Sequence, residues 1–461
     1  MHIYFIIPKR AIKPISFYVY TPSSLRFHYK GLIFRYNKEK GETMEEFKIH
    51  KDLKLGVATA ATQIEGGEKN TSWYRFSLEK GNVKDNTTPL NANNHYELYK
   101  DDIKLMKKMN IEIYRMGIEW SRIEPSKGEF CLEAMNHYID EISLLKEKGI
   151  DVLVTLHHFS CPLWFEDAGG FLKKENINDF IDYVKYVVIS LKGLVKEYIT
   201  INEANVYAAN SYLFGIWPPK IKKMSSAGKV MRHLALAHIE AYKLIKALDK
   251  DIKVGFASHL VMFKPANPKN IFDRIGAKFY DNSFQANLNR AMGRGNFGFP
   301  MGKVKVTKGD YMDFLGINYY TKNLVKGFKM FVDPNTEHND LGWDISPLSL
   351  DELCKRFYEE FHKDIYITEN GTCDKNDSFR SKYIYDHLKV ISSLPYVKRY
   401  YHWTFIDNWE WAEGESARFG LVECDYETQK RTIRESGHFY SEIIKNKEVN
   451  EEMIKKYLTK E

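Results

Sequence analysis

The chain has 461 residues, of which 44% are hydrophobic and 28% charged. So ordinary a composition excludes collagen, low-complexity disorder and solenoids of short repeats. The net charge of +7 sits mostly at one end: residues 1–43 hold eight Lys/Arg against two Glu, and residues 44–461 hold 60 basic against 59 acidic groups. A nearly neutral body lacks the broad positive field that nucleic acid demands.

Five cysteines (Cys131, Cys161, Cys354, Cys373 and Cys424) are scattered without a C-x-x-C pair. That argues against a disulfide framework or a zinc knuckle and for a reducing, cytoplasmic setting. No apolar run approaches the ~18 residues needed to cross a bilayer. The leader fits no signal-peptide template, because its apolar run Ile3–Ile7 precedes the basic residues and Pro8 interrupts it. Residues 1–43 are read as a basic leader, disordered or upstream of a natural start at Met44, in preference to a targeting or membrane-surface arm. Residues 44–461 are read as one folded domain.

From Leu53 onward, β-type runs alternate with segments of helical period. Leu55–Thr59 is the first predicted strand. The stretch His95–Met109 follows, with Tyr99, Ile103, Met106 and Met109 on one helical face. Glu112–Ile118 then leads to Leu132–Lys148, Val152–His157 to Ile177–Lys192, and Tyr198–Asn202 to Ala227–Leu248. Ile252–Ala257 is the fifth strand. After it, Phe314–Tyr319 leads to Leu350–His362, Ile365–Thr368 to Ser378–Ser393, and Arg399–Thr404 to Thr432–Lys447. Eight strands separated mostly by helices predict an α/β fold, a single (β/α)8 TIM barrel, rather than a doubly wound sheet.

A barrel places its chemistry at the C-terminal ends of its strands. Polar residues recur there: Gln63, Arg115, His157, Asn202-Glu203, Asn318 with Tyr320, Glu369, and Glu410-Trp411. Glu203 and Glu369, at the ends of predicted strands four and seven, suggest paired-carboxylate chemistry. Cleavage of a glycosidic bond needs a proton for the leaving oxygen and an anion facing the anomeric carbon. Either glutamate alone reads as a surface or salt-bridged residue; their placement on one barrel face favours the pair.

From about Phe47 to the C-terminus, the sequence resembles glycoside hydrolase family 1, the β-glucosidase family. The motifs are LGVATAATQIEGG (55–67), YRMGIEWSRIEP (114–125), TLHHFSCPLWF (155–165), TINEAN (200–205), FLGINYY (314–320), YITENG (366–371) and WTFIDNWEWAEGESARFGLV (403–422). The resemblance implies a retaining, exo-acting β-glycosidase for terminal β-D-glucosyl residues, or β-galactosyl or β-fucosyl ones. Glu203 would be the acid/base and Glu369 the nucleophile of a covalent glycosyl-enzyme. Arg115 would hold Glu369 anionic, and Tyr320 would steer it. Gln63, His157, Asn202, Asn318, Glu410 and Trp411 would line the glycone site, Trp403 would form its floor, and Trp343 would form the aglycone wall.

The same resemblance implies β-linked oligosaccharides or aryl and alkyl β-glycosides as ligands, with no cofactor and no metal. One departure is Ala204, which stands where the family has proline after the acid/base, a change expected to loosen Glu203. On the same barrel, a 6-phospho-β-glycosidase would need a Ser…Lys…Tyr set after strand eight. Here Glu410, Trp411, Ala412 and Glu413 occupy that place. A sugar-binding pseudoenzyme is opposed by the presence of both glutamates, and a transglycosylase is a third alternative.

Gly293-Arg-Gly295-Asn-Phe-Gly298 fits G-x-G-x-x-G but lacks the flanking strand and helix of a dinucleotide site. Adjacent His157 and His158 point to opposite faces of a strand and do not form a metal pair; one is expected to meet the sugar and the other to pack. Asn370-Gly371-Thr372 is a formal glycosylation sequon, and a glycan there would obstruct the site.

Overall fold

The computed structural model describes residues 44–459, and the basic leader lies outside the described residues. Eight parallel strands close on themselves: β1 (Lys54–Ala58), β2 (Ile113–Gly117), β3 (Asp151–Thr155), β4 (Glu197–Asn202), β5 (Lys253–Pro265), β6 (Phe314–Lys326), β7 (Asp364–Asn370) and β8 (Val397–Trp403). Each pairs with the next in chain order, and β8 returns to β1 with Tyr400 opposite Leu55 and Trp403 opposite Ala58. Runs such as Val152–Thr155 and Tyr198–Asn202 are buried on both faces. This is the expected pattern for parallel strands covered by helices.

The main crossover helices are α1 (His95–Lys108), α2 (Leu132–Glu147), α3 (Ile177–Ser190), α4 (Met224–Leu248), α5 (Ile271–Asp281), α6 (Pro347–Phe361), α7 (Arg380–Ile391) and α8 (Glu435–Asn446). Each turns an apolar stripe to the barrel, as in α1, which buries Tyr99, Ile103 and Met106. The Asn270 side chain accepts from the Phe272 and Asp273 amides and starts α5. Pro347 opens α6, at the position where a missing N–H costs nothing.

Every predicted strand is present. The departures are α5 and the helix Asn287–Arg294, neither of which was predicted between the fifth and sixth strands, and the length of β5 and β6, which run together well past the barrel to Pro265 opposite Val325. The Gly293–Gly298 decoy lies at the end of a helix (Asn287–Arg294) and beyond it, with Gly295 in the left-handed region at φ 66°. It is a C-cap, not a phosphate cradle. At the bottom of the barrel, Phe47–Lys48 pairs antiparallel with Glu448–Val449, and the Tyr385 hydroxyl accepts from the Glu45 amide at 2.8 Å.

Candidate active site

Register shifts interrupt the β4–β5, β6–β7 and β7–β8 ladders near their C-terminal ends. Such irregularities re-aim side chains at the mouth of a barrel. The shift after Ile317 sets Asn318 opposite Glu369. Glu203 directly follows β4 at φ 44° and ψ 55°. A left-handed non-glycine residue costs about 1–3 kcal/mol and persists only when its surroundings hold it.

The restraints on Glu203 are specific. Its amide donates to Ala257 O at 2.8 Å, Asn318 Nδ2 donates to its Oε1 at 2.8 Å, and His259 Nδ1 lies 3.2 Å from the same oxygen. The loosening expected from Ala204 is therefore opposed by bonds on both backbone and side chain, and Ala204 itself is buried. His259, which sequence reasoning missed, also stacks on the Tyr320 ring with centroids 5.8 Å apart. It lies midway along β5, beyond the apolar run that marked the strand.

A continuous chain of bonds joins the two carboxylates. Arg115 Nη1 meets Glu369 Oε1 at 2.6 Å, and its Nη2 donates to Asn202 Oδ1 at 2.7 Å. Asn318 Nδ2 donates to that same oxygen at 3.0 Å and to Glu203. Arg115 is fully buried, but its remaining donors reach Thr155 Oγ1 and Thr368 O, both at 3.0 Å. A buried guanidinium is tolerable only when it is paired in this way. The Tyr320 hydroxyl donates to the other Glu369 oxygen at 2.6 Å. Burial and the charge of Glu369 push the Tyr320 phenol well above its ordinary range, so it remains a donor.

Burial raises two of the site's carboxyls, Glu369 and Glu410. Burial raises Glu369 to about 7, against the pull of Arg115 and with a further push from Glu203. Glu410 is raised to about 8 by burial and then by the charge of Glu369. Gln63 Nε2 donates to Glu410 Oε2 at 3.1 Å, and the Trp403 side chain bonds the same carboxyl. Gln63 Oε1 is buried without a protein partner among the described residues. It remains free to accept from a ligand hydroxyl.

The expectation for His157 needs correction. Its ring packs edge-on against Phe171, Phe180 and Tyr207, with Nε2 3.5 Å from Cys161 Sγ, on the side away from the carboxylates. His158 faces the site. Its Nε2 accepts from Asn202 Nδ2 at 2.9 Å, and its ring lies 6.0 Å from Trp403 and 5.7 Å from Trp411. Burial and then Arg115 hold His158 far below its usual range, so the neutral ring carries its proton on Nδ1. That buried Nδ1 has no protein partner among the described residues. Trp343 stands half-buried, 5.7 Å from Tyr320 and 6.1 Å from Phe419. Apart from His157, the structure brings the predicted site residues together at the C-terminal mouth of the barrel through direct bonds and ring contacts, with Trp343 at their edge.

This geometry agrees with what the chain is similar to. The family model described as "Glycosyl hydrolase family 1" matches residues 45–449. Beta-glucosidase A of Thermotoga maritima is 31% identical over 443 residues, covering 85% of this chain and 96% of that protein. The solved β-glycosidase from Pyrococcus horikoshii superposes with a TM-score of 0.83 at 35% identity, covering 90% of this chain and 99% of that one. A 6-phospho-beta-galactosidase of Clostridium acetobutylicum is 28% identical, covering 86% of this chain and 97% of its own length. With a closed (β/α)8 barrel, paired glutamates at its C-terminal face and a family match across most of its length, the chain belongs to glycosyl hydrolase family 1 and is a glycoside hydrolase.

Proposed function

We propose that the protein is a retaining, exo-acting β-glucosidase. Glu203 gives its proton to the glycosidic oxygen while Glu369 attacks the anomeric carbon, forming a glycosyl-enzyme and releasing the aglycone alcohol. Glu203, now a base, takes a proton from water as that water attacks the anomeric carbon and frees Glu369. The observation that carries this reading is the bonded path Glu369–Arg115–Asn202–Asn318–Glu203, which holds an attacking and a protonating carboxyl in one frame.

Orphaned atoms supply the glycone contacts: Gln63 Oε1 as acceptor and His158 Nδ1–H as donor, with Trp403 and Trp411 as apolar faces. Asn202 is placed for the 2-hydroxyl, where hydrogen bonds strengthen in the transition state.

A 6-phosphorylated glycone is disfavoured. Glu410 occupies the place where a phosphate would need cations, although its raised proton affinity means that it opposes the phosphate more by occupancy than by charge near neutral pH. The test is to trap the enzyme with an activated 2-deoxy-2-fluoro-β-glucoside and follow the first-formed anomer by NMR. A covalent adduct on Glu369 and a β-configured product are expected. An α-configured first product, or labelling elsewhere, would overturn the proposal.

A further inference from the structure

The near-neutral net charge of the folded chain conceals a segregation. Residues 261–332 hold twelve Lys/Arg and four Asp, a net +8, whereas residues 44–260 and 333–461 together hold 48 basic and 55 acidic groups, a net −7. The basic segment spans the outer halves of β5 and β6, together with α5. It rises above the carboxylates, because β5 and β6 continue beyond Ser258 and Asn318 on the active-site side of the barrel.

This segment also exposes large apolar side chains. On α5, Ile271 is 53% exposed, Phe272 65% and Ile275 48%, and nearby Phe299 is 50% exposed. They form one patch: Phe279 of α5 lies 6.0 Å from Phe299 and 5.7 Å from Phe328, which sits in the turn of a hairpin made by β6 and the short antiparallel strand Lys329–Phe331. The opposite face of α5 is seated firmly, with Gly276 so close to Gly327 that a Cβ there would lie 1.7 Å from its carbonyl oxygen. The outward face is therefore a fixed surface, with no slack to turn its apolar residues inward.

The cations around it are uncommitted. Lys269, Arg274, Lys278, Lys303, Lys326 and Lys329 are exposed, and none makes an ion pair with a carboxylate among the described residues. An apolar helical face rimmed by unpaired cations fits the boundary of an anionic bilayer, with acyl chains meeting the phenylalanines and headgroups meeting the lysines. A second copy offering the same face would set like charges against each other. No described helix is long and apolar enough to span a membrane. Contact would therefore be peripheral and salt-sensitive.

We propose that α5 and the adjoining β6 hairpin dock the enzyme on anionic lipid bilayers, with the active-site face turned towards the surface. The test uses the full chain, sedimented with phosphatidylcholine vesicles and with vesicles also containing phosphatidylglycerol. Binding is expected only to the anionic vesicles and should be released by raised salt. F272S/I275S and, separately, K326E/K329E should each weaken binding by about tenfold or more. Both should keep the wild-type rate on a soluble nitrophenyl β-glucoside, which certifies the fold. Three results would overturn the proposal: no binding, equal binding to neutral vesicles, or variants that bind like wild type. A concentration-dependent dimer abolished by F272S/I275S would also overturn it, by assigning the face to a second copy.

Discussion

Replacing Arg115 by glutamine removes the cation that opposes the burial of the Glu369 charge. As the proposed nucleophile Glu369 must be ionised to attack, and burial raises it to about 7, so activity should fall as pH drops through neutrality rather than through the ordinary carboxylate range. In Arg115→Gln the acid limb of the kcat/KM profile should move to still higher pH, in addition to a loss of rate. A limb left unmoved would show that another group titrates there. A second comparison separates the two histidines. His158→Phe removes the proposed glycone donor and should lower kcat/KM by about 10–100-fold, whereas His157→Leu should leave KM within about twofold. Equal effects would deny His158 its place in the pocket. The sequence places both histidines on a strand and leaves open which one faces inward; β3 in fact ends at Thr155 and both lie just beyond it, buried, so alternation does not set their directions. His259 was hidden for a different reason: its contact with Glu203 joins the middle of β5 to the residue just past β4 and leaves no local pattern.

The elements themselves were the most legible part of the chain. Parallel strands covered on both faces read as short apolar runs, and all the main crossover helices except α5 were legible from their 3.6-residue period. The outer halves of β5 and β6 escaped because they leave the covered barrel, so their side chains mix Lys, His and Asn with apolar residues. Ends of elements also matter for stability. Gly371, just past β7, lies so close to β8 that a Cβ would sit 1.7 Å from Trp403 O. Gly371→Ala should therefore push β7 and β8 apart, destabilise the protein by about 1–3 kcal/mol in urea unfolding, and lower kcat by displacing Glu369 relative to Trp403. Wild-type stability together with wild-type kcat would refute this account of the contact.

For the molecule as a whole, the described fold begins with a small clasp. Glu45 and Phe47 reach the bottom of the barrel through Tyr385, Lys389 and the Glu448–Val449 strand. A chain starting at Met44 keeps every one of these contacts. It should retain kcat/KM within about twofold and melt within a few degrees of the full chain, a difference of no more than ~1–2 kcal/mol. A large drop in Tm would assign the leader a part in stability.

The bonded path from Glu369 through Arg115, Asn202 and Asn318 to Glu203 draws on β7, β2, β4 and β6, of which β2, β4 and β6 alternate around the wall of the barrel and β7 pairs with β6. Catalysis is thereby made a gauge of barrel closure. No hinge among the described residues carries one carboxylate apart from the other, so parting any of these walls would dismantle both halves of the proposed reaction together. On slow heating, the loss of activity and the loss of near-ultraviolet ellipticity should trace a single curve, and this enzyme should have no folded but inactive state between them.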